Sequence, residues 1–520
     1  MNDSPFAFDW LSEWAARTPG KAALGTPNGW TTYRQLADRT NALAAQLSGQ
    51  GVTAGDRVLV ATPNLPATVT ASLAIQSLGA CAVEVNREWG ASALTAIAVQ
   101  IEARHAVIDA RDAIFWGQVG AVVGLAHLWI VHPRRPGDRL WSALGAIPAT
   151  WLRDDGTLED LPSGHGTPVR RLDAPALIVY TSGSTGTPRG VIQTHANIAA
   201  NTKSICEYLR LTAADRAMAI LPLCYCYGKS LLQTHIKVGG SIFFDHRFMY
   251  PRLVLETIGE QQCTGFAGVP LTFELIRRQV DPRAISMPSL RYLTQAGGAM
   301  TLETARWVRA AFAPAHLFVM YGQTEATARL SYLPPEHAQD KEGSIGRPIP
   351  GVELRVVDEG GWPLPANQEG YLVARGANVT PGYFRAPKAT AEILREGWLW
   401  TGDLGRKDDD GFFFLTGRAR DMLKIGGHRV SAAEIEGRLT GHPDVLEAAV
   451  VGEAEPVDGE AAVAFVVKRA DSMLSENDLR HYCRQHLPPF MVPKTVRFIE
   501  ALPRTRVGKV AKSELRARVS

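Results

Sequence analysis

The chain has 520 residues, 46% of them hydrophobic and 21% charged, with a formal net charge of +3. This is the profile of a globular protein of several domains, and it gives no reason to invoke nucleic acid or a polyanionic membrane surface as partner, so an anionic ligand must be gripped locally. Six cysteines (Cys81, Cys206, Cys224, Cys226, Cys263, Cys483) form no CxxC pair, which argues against a disulfide framework or zinc site and for a reducing cytoplasm. The start, "MNDSPFAFDW", lacks a basic segment followed by an apolar run, and the longest weakly polar stretch, Val119 to Val131, is too short to cross a bilayer, so neither export nor a membrane span is expected.

From about residue 30 to 330, short apolar runs alternate with longer helical patterns. The runs include "RVLVA" (Arg57 to Ala61), "ALIVYT" (Ala176 to Thr181), "SIFFD" (Ser241 to Asp245), "RYLT" (Arg291 to Thr294) and "LFVMY" (Leu317 to Tyr321). Continuous apolar strands separated by helices predict parallel sheets covered on both faces. "TYRQ" (Thr32 to Gln35) and "SAAE" (Ser431 to Glu434) read as capping boxes that open helices, and Thr194 as a further helix start. Between about 344 and 416 the pattern shifts to short strands and tight turns, as in "ELRVVDEGG" (Glu353 to Gly361) and "LGRKDDDGFFFLTG" (Leu404 to Gly417), where glycine after acidic residues supplies the turn backbone. The last hundred residues mix the strands "VLEAAVVG" and "AAVAFVVK" with helices. The expected fold is thus α/β: a large N-terminal region with two parallel-rich sheets, a β-rich subdomain, and a small C-terminal α+β domain joined near Gly417 to Lys424. There is no internal repeat and no low-complexity segment.

"YTSGSTGTPRG" (Tyr180 to Gly190) follows the strand "ALIVYT" and precedes a helix start. Its glycines allow close backbone approach, its N–H groups can form an anion nest, and the hydroxyls of Thr181, Ser182, Ser184 and Thr185 add donors, so the loop can hold phosphate. It lacks the lysine of a Walker A loop and the GxGxxG spacing of a dinucleotide fingerprint. The stretch resembles the phosphate loop of the adenylate-forming superfamily, which includes acyl-CoA synthetases, adenylation domains of peptide synthetases and firefly luciferase. That family usually has lysine where Arg189 stands; arginine keeps the charge and adds a fork suited to phosphate oxygens.

Further stretches in the same order carry the resemblance along nearly the whole chain: "LPLCYCYGKSLL" (Leu221 to Leu232), "QAGGAM" (Gln295 to Met300), "MYGQTEAT" (Met320 to Thr327), "WLWTGDLG" (Trp398 to Gly405), "TGRARDMLKIGGHRVSAAEIE" (Thr416 to Glu436) and "LPRTRVGKVAKSELR" (Leu502 to Arg516). The resemblance implies an ATP site formed by Thr181, Ser182, Gly183, Ser184, Thr185, Gly186, Arg189, Gly298, Ala299, Tyr321, Gly322, Gln323, Asp403 and Arg418. Within it Tyr321 would lie on adenine, Asp403 would accept the ribose hydroxyls and Arg418 would touch ribose or phosphate. Thr324 would contact phosphate, Glu325 would hold Mg²⁺, and Lys509 would bridge the substrate carboxylate and the α-phosphate. Tyr225, Cys226, Gly228, Ala296 and Gly297 would line the acid pocket, Arg420 would be the hinge pivot in place of the usual Asp or Lys, and Gly426 and Gly427 would border a thiol tunnel.

By the same resemblance, residues 1–417 form an adenylation domain, 418–424 a hinge and 425–520 a mobile C-terminal lid that rotates between two half-reactions. The implied activity is AMP-forming ligation of a carboxylic acid to a pantetheine thiol of CoA or of an acyl or peptidyl carrier protein, by a monomer or homodimer, with an amine acceptor as the alternative. Amino-acid-activating relatives usually carry Phe-Asp where this chain has Tyr225-Cys226, which disfavours an α-amino acid and leaves a small aromatic or medium aliphatic acid. Lys229 reads as a helix-start lysine with its head in solvent rather than as a partner for a second substrate carboxylate, and Cys224 and Cys226 read as packing residues. A P-loop kinase would need the missing Walker lysine, and a non-catalytic binding protein would not be expected to keep Thr324, Glu325, Asp403 and Lys509 together. Replacing Arg189 by lysine should be mild, whereas Arg189→Ala should raise the apparent KM for ATP; an unchanged KM would show that Arg189 is no phosphate ligand.

Overall fold

The computed structural model describes residues 4–144, 146–158, 168–181, 188–425, 428–455, 459–504 and 510–519. By its internal contacts the chain forms two compact units: Met1–Glu342 with Pro348–Glu353 and Arg375–Gly397, and Gly343–Arg347 with Leu354–Ala374 and Trp398–Ser520.

Two sheets organise the first unit. One runs Ala149–Leu152, His127–Val131, His105–Asp109, Arg57–Ala61, Cys81–Glu84, Pro175–Thr181 and Arg189–Thr194. Its strands are parallel except for the last pair, which forms an antiparallel hairpin. The other includes Ser331–Leu333, His316–Tyr321, Tyr292–Gln295, Gly265–Gly268, Arg216–Ala219, Ser241–Phe244, Ala22–Thr26 and Gly29–Thr32 in that order. Here only Ser331–Leu333 and Gly29–Thr32 run antiparallel to their neighbours. All five apolar runs singled out in the sequence are strands of these sheets, within a residue at either end.

The helices Pro66–Ser77 and Cys226–Val238 are buried almost all round. They share one apolar core with strands of both sheets, from Val58, Ala82 and Val179 on one side to Ala219, Phe244 and Met320 on the other, and so form a middle layer. Separate cores pack Ala91–Gln100 and Ala113–Val123 on the outer face of the first sheet, and Pro251–Glu260, Pro270–Gln279 and Leu302–Ala311 on that of the second. The result is a helix, sheet, helix, sheet, helix stack, which is why so many of its strands read as unbroken apolar runs.

A further, β-rich sheet includes Val352–Val357, Gly370–Gly376, Trp398–Lys407 and Phe413–Arg418. The last two strands make the hairpin expected around the Asp-rich turn. The C-terminal portion pairs Val445–Glu455 with Gly459–Lys468 and packs Ala432–Thr440 and Glu476–His486 against them. It also contains three strands that the sequence pattern does not single out, Met422–Ile425, His428–Ser431 and Thr495–Phe498. Each is short and interrupted by polar residues such as Lys424, Arg429 and Arg497, so none reads as an unbroken apolar run. The segment 418–424 runs from the end of one strand through a 3₁₀ turn, Ala419–Asp421, into the next.

The capping boxes at Thr32 and Thr194 are present, the second closed by Asn197. The one expected at Ser431 is not: its hydroxyl donates to Thr416 O at 2.8 Å instead of capping the helix. The side chain is drawn to the Thr416 carbonyl rather than to the helix's own N–H groups.

Burial holds His127, His195 and His235 neutral, pulling each down to about 4 from the usual 6.5. The unfolded chain protonates first on acidification, so the stability these residues carry is complete above pH 6.5 and is lost as pH falls from 6.5 toward 4. The melting temperature should therefore start to drop just below neutrality. A flat melting temperature between pH 7 and about 5 would show that these histidines do not stay neutral in the native state.

Candidate active site

Thr181 and Arg189 face each other across the hairpin formed by the two edge strands of the first sheet, with Thr181 Oγ1 donating to Arg189 O at 3.5 Å. The predicted phosphate loop is thus closed by a paired stem. Ser182, Gly183, Ser184, Thr185 and Gly186 lie outside the described residues, as do Gly426, Gly427 and Lys509.

The segment 377–384 lies along the strand Arg189–Thr194. Phe384 N donates to Gly190 O at 2.7 Å, Ile192 N to Gly382 O at 3.1 Å, and Val191 bridges to Tyr383. This brings the Tyr383 ring under the Arg189 guanidinium, 5.6 Å from its carbon, and lets the Tyr383 hydroxyl donate to Glu325 Oε1 at 2.7 Å. Burial, then the adjacent Glu325 carboxylate, push the Tyr383 phenol well above its usual pKa. The hydroxyl therefore stays a donor at any working pH. Glu325, Tyr383 and Arg189 form a chain of anion, phenol and cation.

Thr324, Glu325 and Ala326 make a single 3₁₀ turn after the strand His316–Tyr321. Three side-chain amides clamp it and its continuation: Gln193 Nε2 donates to Thr324 O and Thr327 O, Asn201 Nδ2 to Arg329 O, and Asn378 Nδ2 to Ala326 O and Arg329 O. Thr380 N donates to Glu325 O at 2.8 Å. A Cβ on Gly322 would lie 2.1 Å from Ala328 O, so only glycine lets the turn fold back this closely.

Tyr225 precedes the buried helix Cys226–Val238, and its hydroxyl accepts from Asn86 Nδ2 at 3.1 Å. Gly228 lets this helix approach the preceding loop, since a Cβ there would meet Pro222 O at 2.3 Å. Cys226 Sγ accepts from Thr324 Oγ1 at 3.4 Å, so a predicted pocket residue and a predicted catalytic residue touch. Ala296 is buried at a strand end, Gly297, Gly298 and Ala299 are exposed, Tyr321 is buried and Gln323 is half-buried. Gln295 Nε2 fastens the glycine turn through Gly298 O at 2.7 Å.

In the second unit, Asp403 stands opposite Arg418 in adjacent strands, and the two form an ion pair at 2.9 Å. Asp403 is buried while the Arg418 side chain is 43% exposed. Arg420 lies in the 3₁₀ turn that follows.

One expectation fails. Lys229 is 3% exposed rather than solvated, and its ammonium pairs with the equally buried Glu84, whose carboxylate also accepts from Ser72 Oγ at 2.7 Å. The helix is sandwiched between two sheets, so the position one turn from its start faces protein rather than water, and Glu84 at the end of a neighbouring strand compensates the charge. Truncating either partner would leave a buried ion alone. The residues the motifs do not single out are Gln193, Asn201, Asn378 and Tyr383. Gln193 and Asn201 are polar side chains at buried strand and helix positions, whereas Asn378 and Tyr383 lie outside named helices and strands, and none of the four stands out without its partner.

Two parallel-rich sheets around a middle helical layer, with a hairpin stem, a cation and a tethered carboxylate gathered beside the ends of their strands, fit the plan of a nucleotide-dependent acid-activating enzyme. The chain belongs to the AMP-binding enzyme family, whose model matches residues 11–384; the model of the AMP-binding enzyme C-terminal domain matches residues 434–509. It is 32% identical to a feruloyl-CoA synthase of Amycolatopsis over 516 residues, 98% of this chain and 99% of that one. Its fold superimposes on ATP-bound MatB from Rhodopseudomonas palustris with a TM-score of 0.86, 27% identity and coverage of 99% and 98% of the two chains. The amide bond synthetase McbA from Marinactinospora thermotolerans is also similar, with a TM-score of 0.86, 25% identity and coverage of 98% and 99%. The chain is an ATP-dependent, AMP-forming ligase.

A hydrogen bond to a charged group contributes about 1.5–3 kcal/mol. Tyr383→Phe should therefore lower kcat/KM for ATP by about 10- to 100-fold, with little change in melting temperature. Unaltered kinetics in that variant would show that Glu325 needs no tether.

Proposed function

We propose that the protein joins a carboxylic acid to a pantetheine thiol in two half-reactions: carboxylate plus ATP gives acyl-adenylate and pyrophosphate, and the thiol then gives a thioester and AMP. The observation that carries this reading is the convergence of Arg189, Tyr383, Glu325, Thr324 and Cys226 around one hairpin stem and one clamped turn. A carboxylate alone does not acylate a thiol, because oxide is too poor a leaving group; adenylation replaces it with AMP.

The roles follow from the chemistry of each group. Arg189, with the 181–186 loop, grips the β- and γ-phosphates, and Thr324 donates to phosphate. Glu325 Oε1 is occupied by Tyr383, while its other oxygen makes no hydrogen bond among the described residues. A single anionic oxygen facing phosphate oxygens suits Mg²⁺, which would be held by Glu325 and the nucleotide and would neutralise the departing pyrophosphate. Tyr321 and the 297–299 turn take the adenine. Asp403 accepts the ribose hydroxyls, being an acceptor-only group, and Arg418 both orients that carboxylate and reaches ribose or phosphate. Lys509 places its ammonium between the attacking carboxylate and the α-phosphate, a case of electrostatic positioning.

Tyr225, Cys226, Gly228, Ala296 and Gly297 border the acid, and the absence of a carboxylate at Cys226 fits a substrate without an α-amino group. The C-terminal portion rotates about Arg420 after adenylation, withdrawing Lys509 and presenting Gly426 and Gly427 to the thiol of CoA or of a carrier protein. Likeness to an amide bond synthetase keeps an amine acceptor as the second reading.

Lys509→Ala should abolish acid-dependent pyrophosphate exchange while sparing thioester formation from supplied acyl-adenylate. Equal loss of both steps would remove Lys509 from the first half-reaction.

A further inference from the structure

Two cations lie deep in the layer between the sheets, and they differ in one respect. Lys229 has Glu84. Arg329, also 3% exposed, has no carboxylate partner among the described residues. Its Nε donates to Met320 Sδ at 3.3 Å, its Nη1 to the neighbouring Ala328 O at 3.1 Å, and its guanidinium carbon sits 4.2 Å from the centre of the Tyr227 ring. The Tyr208 hydroxyl faces the same group and donates to Met320 Sδ at 3.0 Å. A thioether, one carbonyl and a π face compensate a permanent charge only partly, since buried ions are ordinarily paired. Arginine cannot escape by losing its proton.

The position of this charge is informative. Tyr227 follows Cys226, which touches Thr324 at the reacting end, and its hydroxyl donates to Thr294 Oγ1 at 2.9 Å, two residues before Ala296. The guanidinium therefore stacks on the residue that follows Cys226, and that residue in turn reaches the strand that ends beside Ala296. Its backbone is fixed there by Asn201 and Asn378, both bonded to Arg329 O. A fork of N–H donors in this place matches a carboxylate or sulfonate.

We infer that Arg329 recognises the far end of the substrate, and that the acid activated here carries a second anionic group, a carboxylate or sulfonate, on its tail. The inference rests on the acid-ligase reading above and narrows it. Electrostatic complementarity of this kind separates substrates sharply, because the wrong substrate leaves the buried cation unpaired.

Pyrophosphate exchange with wild-type protein on matched acids, such as hexanoate against adipate and butyrate against 3-sulfopropanoate, should favour the doubly anionic member by at least about tenfold in kcat/KM. Arg329→Met should collapse or reverse that ratio chiefly through KM, and Arg329→Lys should keep part of it. The ratio is read within one preparation, so a smaller folded fraction cancels; should the methionine variant not fold, the wild-type panel and the lysine variant decide. Wild-type preference for uncharged tails, or an equal ratio in wild type and variant, overturns the inference alone. Exchange with no acid at all would instead sink the ligase reading and this inference with it.

Discussion

Every backbone carbonyl from Thr324 to Arg329 accepts a hydrogen bond, and the rest of the site depends on that. The turn that carries Glu325 lies outside any regular helix or sheet apart from one 3₁₀ turn, so its polar groups must find partners elsewhere. Gln193 comes from the edge strand of one sheet, Asn201 from the helix that follows it, Asn378 from the 377–384 segment, and the turn itself extends from the other sheet. Each of these carbonyls, if orphaned, would cost about 1–3 kcal/mol. The clamp thus holds the two sheets in register at the one place where residues from both must cooperate.

The same economy explains the middle layer. Helices Pro66–Ser77 and Cys226–Val238 are covered on all sides, so their polar residues look for partners within the layer, as Lys229, Ser72 and Gln76 do in series through the strand-end Glu84, whose Oε1 is shared while its Oε2 has no hydrogen-bond partner among the described residues. Burying ions this way is weak evidence for stability but fixes which residue faces which. With Lys229 already neutralised, it is not available to a substrate, and Arg329 remains the charge in that layer without a counter-ion among the described residues.

The sheets were readable because a strand covered on both faces announces itself as an unbroken apolar run, and the five runs noted are strands. The glycine, threonine and glutamate motifs were readable because a tight turn or a close approach restricts residue type, as at Gly322. What could not be read is what depends on a partner distant in sequence. Lys229 looks like any helix-start lysine until Glu84, 145 residues earlier, is placed beside it. Tyr383 looks like a loop aromatic until its strand neighbour sets it under Arg189. Ser431 has the right spacing for a cap, yet Thr416 O claims its proton. Short strands such as Met422–Ile425 fail for a simpler reason: polar residues such as Lys424 break the apolar run that made equally short strands like Ser241–Phe244 readable.

The hairpin stem imposes a parity on the loop it closes. Side chains along a strand alternate between faces, so the in-register pairing of Thr181 with Arg189 and of Tyr180 with Gly190 decides which face the cation takes. A loop shortened or lengthened by one residue, with pairing shifted to match, would set Gly190 or Pro188 opposite Thr181 and turn the guanidinium to the other side of the sheet, away from Tyr383. The register of the stem, rather than the identity of the cation, therefore decides whether the charge faces Tyr383.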